Sequence, residues 1–428
     1  MNEDFLSFVW KYRLYHSDLK TTSGIPVTVI KPGEQHTNSG PDFFNARIRI
    51  GDTLWAGNVE IHVRASDWYR HQHQTDKAYD NVILHVVYEA DSDIIMGDMT
   101  TVPTVSLCEQ TDPVVIKQYR NLRTSPNNIP CGSQLSVVPE VIFNSWSDRM
   151  LVERLEHKSV QIELALHVNK GDWEDAFYQL LARNFGFHVN AGPFEMLARC
   201  LPRTLLLRHA DQLHQVEALV FGQSGLLLEP FKDEYPSLLQ NEYRFLSKKY
   251  GLMPLDHHIW KLLRMRPANF PTIRLSQFAR LISENKCTMQ RLLSEPSAEI
   301  IMKNFHVSAS PYWNNHYLFD KPTRYRSAGL GDTSIRNILI NTIAPVMFYY
   351  GRIKGEEMAC EQAFSLLKNL PPEQNHILDE WLGNGIKVES AYTGQAMLGL
   401  YNNYCSQKKC LNCSLGITIL NKQHEHAG

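Results

Sequence analysis

The sequence lacks an excess of charge of either sign, with 43 basic residues against 45 acidic ones and a formal net charge of −2. A chain so balanced has no global field to draw it onto a polyanion, so contact with nucleic acid must come from a local patch. Cysteine is sparse, eight in 428 residues, which excludes the disulfide framework that staples small secreted domains. No apolar run approaches the ~20 residues of a membrane span. The opening MNEDFLSFVWKYRLY carries acids where a secretion signal carries basic residues, and a cytoplasmic protein with no membrane partner is the expectation. There is no repeat of fixed period. Neither a G-x-S-x-G elbow nor an H-E-x-x-H helix occurs, so two common hydrolase signatures are missing.

What is present reads as an ordinary globular chain, 43% hydrophobic and 21% charged, long enough for two or three domains. Residues 3–16 have the apolar density of an amphipathic helix, and Val27–Ile30 reads as a short strand. In GPDFFNARIRIGDTLWAGNVEIHV, residues 40–63, Ala46, Ile48 and Ile50 alternate with Asn45, Arg47 and Arg49, the mark of a half-buried strand. On the next strand Asn58, Glu60 and His62 share one face while Val59, Ile61 and Val63 share the other. A carboxylate on such a strand costs several kcal/mol unless it is paired or protonated. A divalent cation shared by Asp42 and Glu60 is one way to offset that cost. Arg47 and Arg49 are read either as a solvated face or as phosphate contacts. The run NVILHVVY predicts a central strand covered on both faces, with His85 as a core histidine. His16, His36, His62, His71, His73 and His85 are six of the eighteen histidines, all in the first fifth of the chain, and such clustering favours a metal or acid/base site. His71 and His73 chelate together only if their segment is extended. Along SDWYRHQHQTDKAYDN a helix is predicted, with His73, Asp76 and Tyr79 lining one side.

Pro41-Asp42, two adjacent strands and Glu60-Ile61-His62 together resemble the core of the PD-(D/E)XK nucleases, with eighteen positions between the acids and His62 where that family usually has lysine. The resemblance covers about the first quarter of the chain. It implies a restriction-endonuclease-like mixed sheet with flanking helices. It also implies Mg²⁺ or Mn²⁺ held by Asp42, Glu60 and the Ile61 carbonyl, and His62 orienting water or acting as base. His71, His73, Asp76 and Tyr79 would then stand behind the ligands or face substrate. Over most of its length the chain also resembles a bacterial family that carries only a domain-of-unknown-function label, through GPDF, W-x-GNVEIH, SDW-x-x-H-x-H, Tyr79 to Tyr88, RMRPANFPTIR and the cysteine-rich tail.

Prolines, asparagines and glycine gather in RTSPNNIPCGSQLSVVPE, which divides the chain into an α/β domain at 1–125, a linker at 126–138, a helical domain at 139–404 and a cysteine-rich tail at 405–428. Helical spacing recurs at 140–168, 172–185, 211–220, 234–250, 274–284, 334–350, 356–368 and 389–404. The fold class expected is therefore α+β, or α/β, followed by helices. Arg264 and Arg266, near Lys261 and Arg274, are candidate phosphate binders, or else shape and neutralise a turn between helices. FGQSGLL, residues 221–227, lacks the strand, helix and lysine of a phosphate loop. Cys405, Cys410 and Cys413 have the spacing C-x4-C-x2-C, suited to an iron–sulfur cluster with a remote fourth thiol, Cys131 or Cys360. The same set suits zinc with a further cysteine, His424 or His426. Three reduced thiols in a loop is the plain alternative.

Two functions follow from these readings. One is a metal-dependent nuclease cleaving DNA or RNA with a metal-activated water. The other is a scaffold with a nuclease-like fold and no catalysis, favoured by the missing lysine, the balanced charge and the long helical region.

Overall fold

The computed structural model describes every residue except 37–38, 97–98, 263–264, 266–268, 286–287, 296 and 426–428, together with the side chains of 423–425. The chain divides into two compact units, Met1–Asp148 with Asp379–Ile386 and Leu400–Gly428, and Arg149–Leu378 with Lys387–Gly399. The division falls inside one long helix, Glu140–Val168.

The first unit opens with α1 (Glu3–Tyr12), whose first-turn acids Glu3 and Asp4 suit the positive end of the helix dipole. It stops where Arg13 enters the left-handed region, φ 55°. Phe5, Leu6, Phe8, Val9 and Trp10 are buried, as the apolar spacing of 3–16 predicts. A mixed sheet follows, built from β1 (Val27–Lys31), β2 (Glu34–Gln35), β3 (Phe43–Ile50), β4 (Thr53–Arg64), β5 (Val82–Glu89) and β6 (Thr104–Ser106). The strand order is β1-β3-β4-β5-β6, with β2 pairing the start of β3. β1, β3 and β4 are antiparallel, whereas β4, β5 and β6 run parallel. β3 buries Ala46, Ile48 and Ile50 and exposes Arg47 and Arg49, matching the alternation in the sequence. β5 is buried from Val82 to Val87, as befits a strand with neighbours on both edges and cover on both faces.

Between β3 and β4 the register shifts from Phe43 to Ala46, at Asn45, whose φ is 56°. This is a β-bulge, which bends the strand and re-aims what precedes it. Parallel strands need a crossover connection, and residues 65–81 supply it with Trp68, His71, His73 and Tyr79. A short helix α2 (Asp67–Arg70) is followed by 3-10 turns at His73–Thr75 and Lys77–Tyr79. The stretch 126–138 contains a further 3-10 turn, Gly132–Val137, and the tail belongs to this first unit.

The second unit is helical among the described residues apart from a ribbon of His316–Leu318 and Lys321–Pro322. Helices occur at Trp173–Phe185, Leu213–Gln223, Glu234–Tyr250, Pro271–Glu284 and Glu357–Asn369, close to the spans read from apolar spacing. Phe187–Cys200 was not expected, because Gly192 and Pro193 interrupt its pattern. It kinks at Asn190, whose amide bonds the backbone of Lys261 on both sides, at 3.0 and 2.9 Å. The predicted helix at 334–350 is an α-π-α run, Asp332–Ile338, Leu339–Ile343 and Ala344–Lys354. Pro345 sits in the first turn of the last segment, so its missing N–H and the shifted ladder coincide. Among the described residues no helix is long and apolar enough to cross a membrane.

Gly222 ends up against the face of Tyr243: a Cβ there would lie 2.0 Å from the ring. Gly222→Ala is expected to cost about 1–3 kcal/mol by overpacking, read as a lower urea midpoint. Adding Tyr243→Ala should recover part of the loss caused by the alanine, and an unchanged midpoint in Gly222→Ala would refute the contact.

Candidate metal centre

Asp42 lies one residue before β3, and Glu60 lies across from it on β4. The two are joined by reciprocal hydrogen bonds. The Asp42 N–H donates to Glu60 Oε2 at 3.1 Å, and the Ile61 N–H donates to Asp42 Oδ2 at 3.0 Å. The Asp42 carbonyl in turn accepts from the His36 N–H at 2.8 Å, so the backbone around the acid is held on both sides. Asp42 is half-buried and Glu60 buried. Burial raises the pKa of both carboxyls, and the backbone N–H groups pull them part of the way back. The neighbouring Glu60 charge raises Asp42 further. Two carboxyls that share a water-poor site and repel each other favour either a proton or a cation between them. No lysine or arginine is bonded to either acid among the described residues.

The histidines gather around this pair. His62 Nε2 is 3.6 Å from Glu60 Oε1, and His73 Nε2 is 3.4 Å from the same oxygen. The ligand atoms of His62, His71 and His73 all lie within 4.8 Å of one another. His62 is only 2% exposed, with Nδ1 at 2.8 Å from His85 Nε2 and Nε2 at 3.2 Å from His71 Nδ1. Desolvation and the surrounding histidines push its pKa far down, and burial takes His85 down to about 3. Both rings are therefore neutral near pH 7. In the tautomer where His62 Nδ1–H donates to His85, the lone pair of His62 Nε2 faces Glu60, the arrangement a metal-ligating imidazole adopts. His62 is expected either to orient a water or to act as a base, and its lowered proton affinity bears on the second of these roles.

The predicted helix through His73, Asp76 and Tyr79 is corrected. Gln72 adopts a left-handed conformation, φ 62°, between α2 and the next turn, which breaks the helix and lets His71 and His73 face the same point. Tyr79 is buried and stacks on His73 with ring centroids 3.8 Å apart. Trp68 packs edge-on against His62, His73 and His85. These two aromatic rings set the angle of the imidazoles. Asp76 is exposed, and its carboxylate accepts the Ala78 N–H at 2.9 Å, capping a turn instead of facing the acids.

Sequence reasoning missed Glu3. From the first turn of α1 its charge raises the pKa of both Asp42 and Glu60, and its own is raised by burial, offset in part by His71. The only sequence signal was its place among the acids at a helix start. His85, read as a core histidine, is buried, with Nε2 2.8 Å from His62 Nδ1.

Of the phosphate-binding candidates, Arg47 is exposed on β3 opposite Ala56 of β4. Ala56 and Glu60 share a face of β4, which puts the Arg47 backbone roughly 13 Å along the strand from the acids by the ~3.3 Å rise. Arg264 and Arg266 lie outside the described residues. Arg274, from the same block, is 2% exposed and donates to Asn269, Gln277 and Ser334 at 2.7 to 3.1 Å, so it ties the core together. The FGQSGLL segment ends a helix, with Gly225 at φ 78° against the Leu255 carbonyl, and forms no phosphate loop.

Fold and site together define an α+β protein with an acid and histidine cluster at the junction between the antiparallel and parallel halves of its sheet. The chain belongs to the family described as protein of unknown function (DUF2851), whose model matches residues 3–376. No curated protein and no solved structure matches it.

The left-handed turn at residue 72 is testable. Gln72→Gly is expected to stabilise by about 1 kcal/mol, since glycine enters that region without steric cost, and Gln72→Ile to destabilise by at least as much. Urea denaturation of both variants checks this, and equal midpoints would show that the turn is not left-handed.

Proposed function

We propose that the first unit is a metal-dependent phosphodiesterase of nuclease type acting on DNA or RNA. One observation carries the reading. Two carboxyls with raised pKa, held by the backbone N–H groups of Asp42 and Ile61, lie beside the ring nitrogens of His62 and His73, and among the described residues no lysine or arginine is bonded to them. The donor set fits a divalent transition ion. His73 Nε2 is buried and has no hydrogen-bond partner although it lies 3.4 Å from a carboxyl oxygen, as suits a nitrogen aimed at a cation.

Asp42 and Glu60 would supply the anionic ligands, and His62 and His73 the neutral ones, with His71 at the exposed side. In a strand the N–H and C=O of a residue point toward the same neighbour. The Ile61 carbonyl therefore points to the Asp42 side, where it could serve as a further ligand. When bound, the ion supplies an acidified water and a positive charge for the phosphate. Imidazole donors favour Mn²⁺, or a softer ion, over Mg²⁺. Tyr79 and Trp68 hold the rings, His85 fixes the His62 tautomer, and Arg47 and Arg49 align a phosphodiester backbone along the exposed face that leads to the acids. The PD-(D/E)XK resemblance supports the same assignment of Asp42 and Glu60.

A second reading, a binding scaffold without catalysis, is favoured by His62 itself: a buried neutral ring stands where the resembling family has a cationic lysine. Two measurements separate the readings. With Mn²⁺, cleavage of single- or double-stranded DNA or RNA is expected, faster than with Mg²⁺, and reduced roughly 10²-fold or more by Asp42→Asn or Glu60→Gln. Mn²⁺ at about 100 times its dissociation constant should stabilise the fold by about 2.7 kcal/mol, seen as a rise in Tm that both variants lose. A Tm indifferent to the metal together with intact nucleic acid would rule the hydrolase out and leave the scaffold.

A further inference from the structure

Seven cysteines are described and all are unpaired, and four of them, Cys131, Cys405, Cys410 and Cys413, are buried in the first unit. They reach it on separate local structures. Cys131 immediately precedes the 3-10 turn Gly132–Val137. Cys405 is the last residue of a π-helical turn, Tyr401–Cys405, and Cys410 opens a 3-10 turn, Cys410–Asn412. Cys413 stands directly before the helix Ser414–Glu425. That helix packs on both 3-10 turns. Its first turn lies so close to the Cys410 carbonyl that a Cβ at Gly416 would sit 2.3 Å from the oxygen. Two lysines pin the tail to the segment around Cys131: Lys422 Nζ donates to the Val137 carbonyl at 2.7 Å, and Lys408 Nζ to those of Arg123 and Ser125 at 2.8 and 2.9 Å.

The four sulfurs are within electrostatic reach of one another. Burial pushes the Cys131 thiol up to about 12, with Cys413 and Cys410 adding to it, and Cys405 is raised by burial and then by the other three. Burial raises the Cys413 thiol too, and the nearby backbone N–H groups of Gly416 and Leu415 and the Trp146 side chain offset part of that rise. Four buried cysteines on segments drawn together by one helix can lose their protons to a soft metal that takes thiolate ligands.

We propose that Cys131, Cys405, Cys410 and Cys413 form a four-thiolate centre for a soft transition metal, with Cys131 as the remote fourth ligand. The competing fourth thiol, Cys360, lies in the second unit and donates to the Phe348 carbonyl. The side chain of His424 and all of His426 lie outside the described residues. On binding, each sulfur forms a bond to metal as its proton leaves to solvent, and no electron changes hands with either a zinc ion or a preassembled cluster transferred by ligand exchange. Among the described residues no three of these sulfurs lie within 4.8 Å of one another. A zinc tetrahedron with ~2.3 Å bonds holds its sulfurs about 3.8 Å apart, whereas an iron–sulfur cluster spaces its thiolates more widely, and metal analysis distinguishes the two. The centre is independent of the acid and histidine cluster, and three of its ligands lie beyond the residues matched by the family model.

The test is to purify the full chain without oxygen and measure iron, acid-labile sulfide and zinc per chain together with the visible spectrum. Iron with sulfide and a coloured protein identifies a cluster, while one equivalent of zinc in a colourless protein identifies a single ion. Either supports the centre. Cys131→Ser should lower bound metal at least ~5-fold, as Cys410→Ser does, while Cys360→Ser leaves it unchanged. Should the variants fail to fold, the native chain carries the test: mapping maleimide labelling before and after a chelator should show these four thiols becoming reactive only once metal is removed. Absence of stoichiometric metal, a wild-type load in Cys131→Ser, or labelling indifferent to the chelator would overturn the proposal.

Discussion

The candidate site depends on a pair of hydrogen bonds in which each of two carboxylates accepts the backbone N–H beside the other. Asp42 takes the N–H of Ile61 and Glu60 takes the N–H of Asp42. Those donors would otherwise belong to the ladder between β3 and β4, which is irregular there because of the bulge at Asn45. The break in the ladder frees two backbone donors, the acids satisfy them, and the strands stay joined through side chains at the point where the sheet changes from antiparallel to parallel. A polar group buried without a partner costs ~1–3 kcal/mol. The acids are thus part of the fold as well as of the site, and replacing either one removes a strand contact.

The crossover from β4 to β5 completes the arrangement. Because these strands are parallel, the chain between them has to pass over a face of the sheet, and it passes over the face that carries Glu60 and His62. Trp68, His73 and Tyr79 are buried by that passage. The result is a group of imidazoles with lowered proton affinity next to carboxyls of raised pKa, both set first by burial. In a lysine-based site, a mobile ammonium supplies the positive charge. Here the fold has buried a ring at that position, with Nδ1 2.8 Å from His85 Nε2.

The tail has a comparable logic with different atoms. Cys405 ends a π-helical turn, Cys410 and Cys413 flank one 3-10 turn, and the helix that follows packs against the segment just after Cys131. Nothing in the residues between determines this. It follows from how Ser414–Glu425 packs against the turn at Gly132–Val137.

Much of the architecture was legible in the sequence, because apolar period and strand alternation report burial directly. α1, β3, β5 and the helices at 140–168, 234–250 and 356–368 follow from spacing alone, and the acids Asp42 and Glu60 stood out as carboxylates on half-buried strands. Helices containing internal breakers, such as Phe187–Cys200 with Pro193, were not legible, since their stability comes from packing and not from pattern. Three features were decided only by tertiary structure. The left-handed turn at Gln72 brings His71 and His73 together, and a non-glycine residue gives no local sign of it. The charge of Glu3 acts on the acids from a helix far away in sequence. The segment following Cys131 is packed against the tail helix, a contact that no local spacing announces. Sequence specifies which side chains face inward, because that depends on period. It does not specify which inward-facing groups meet, because that depends on how separate elements pack in three dimensions.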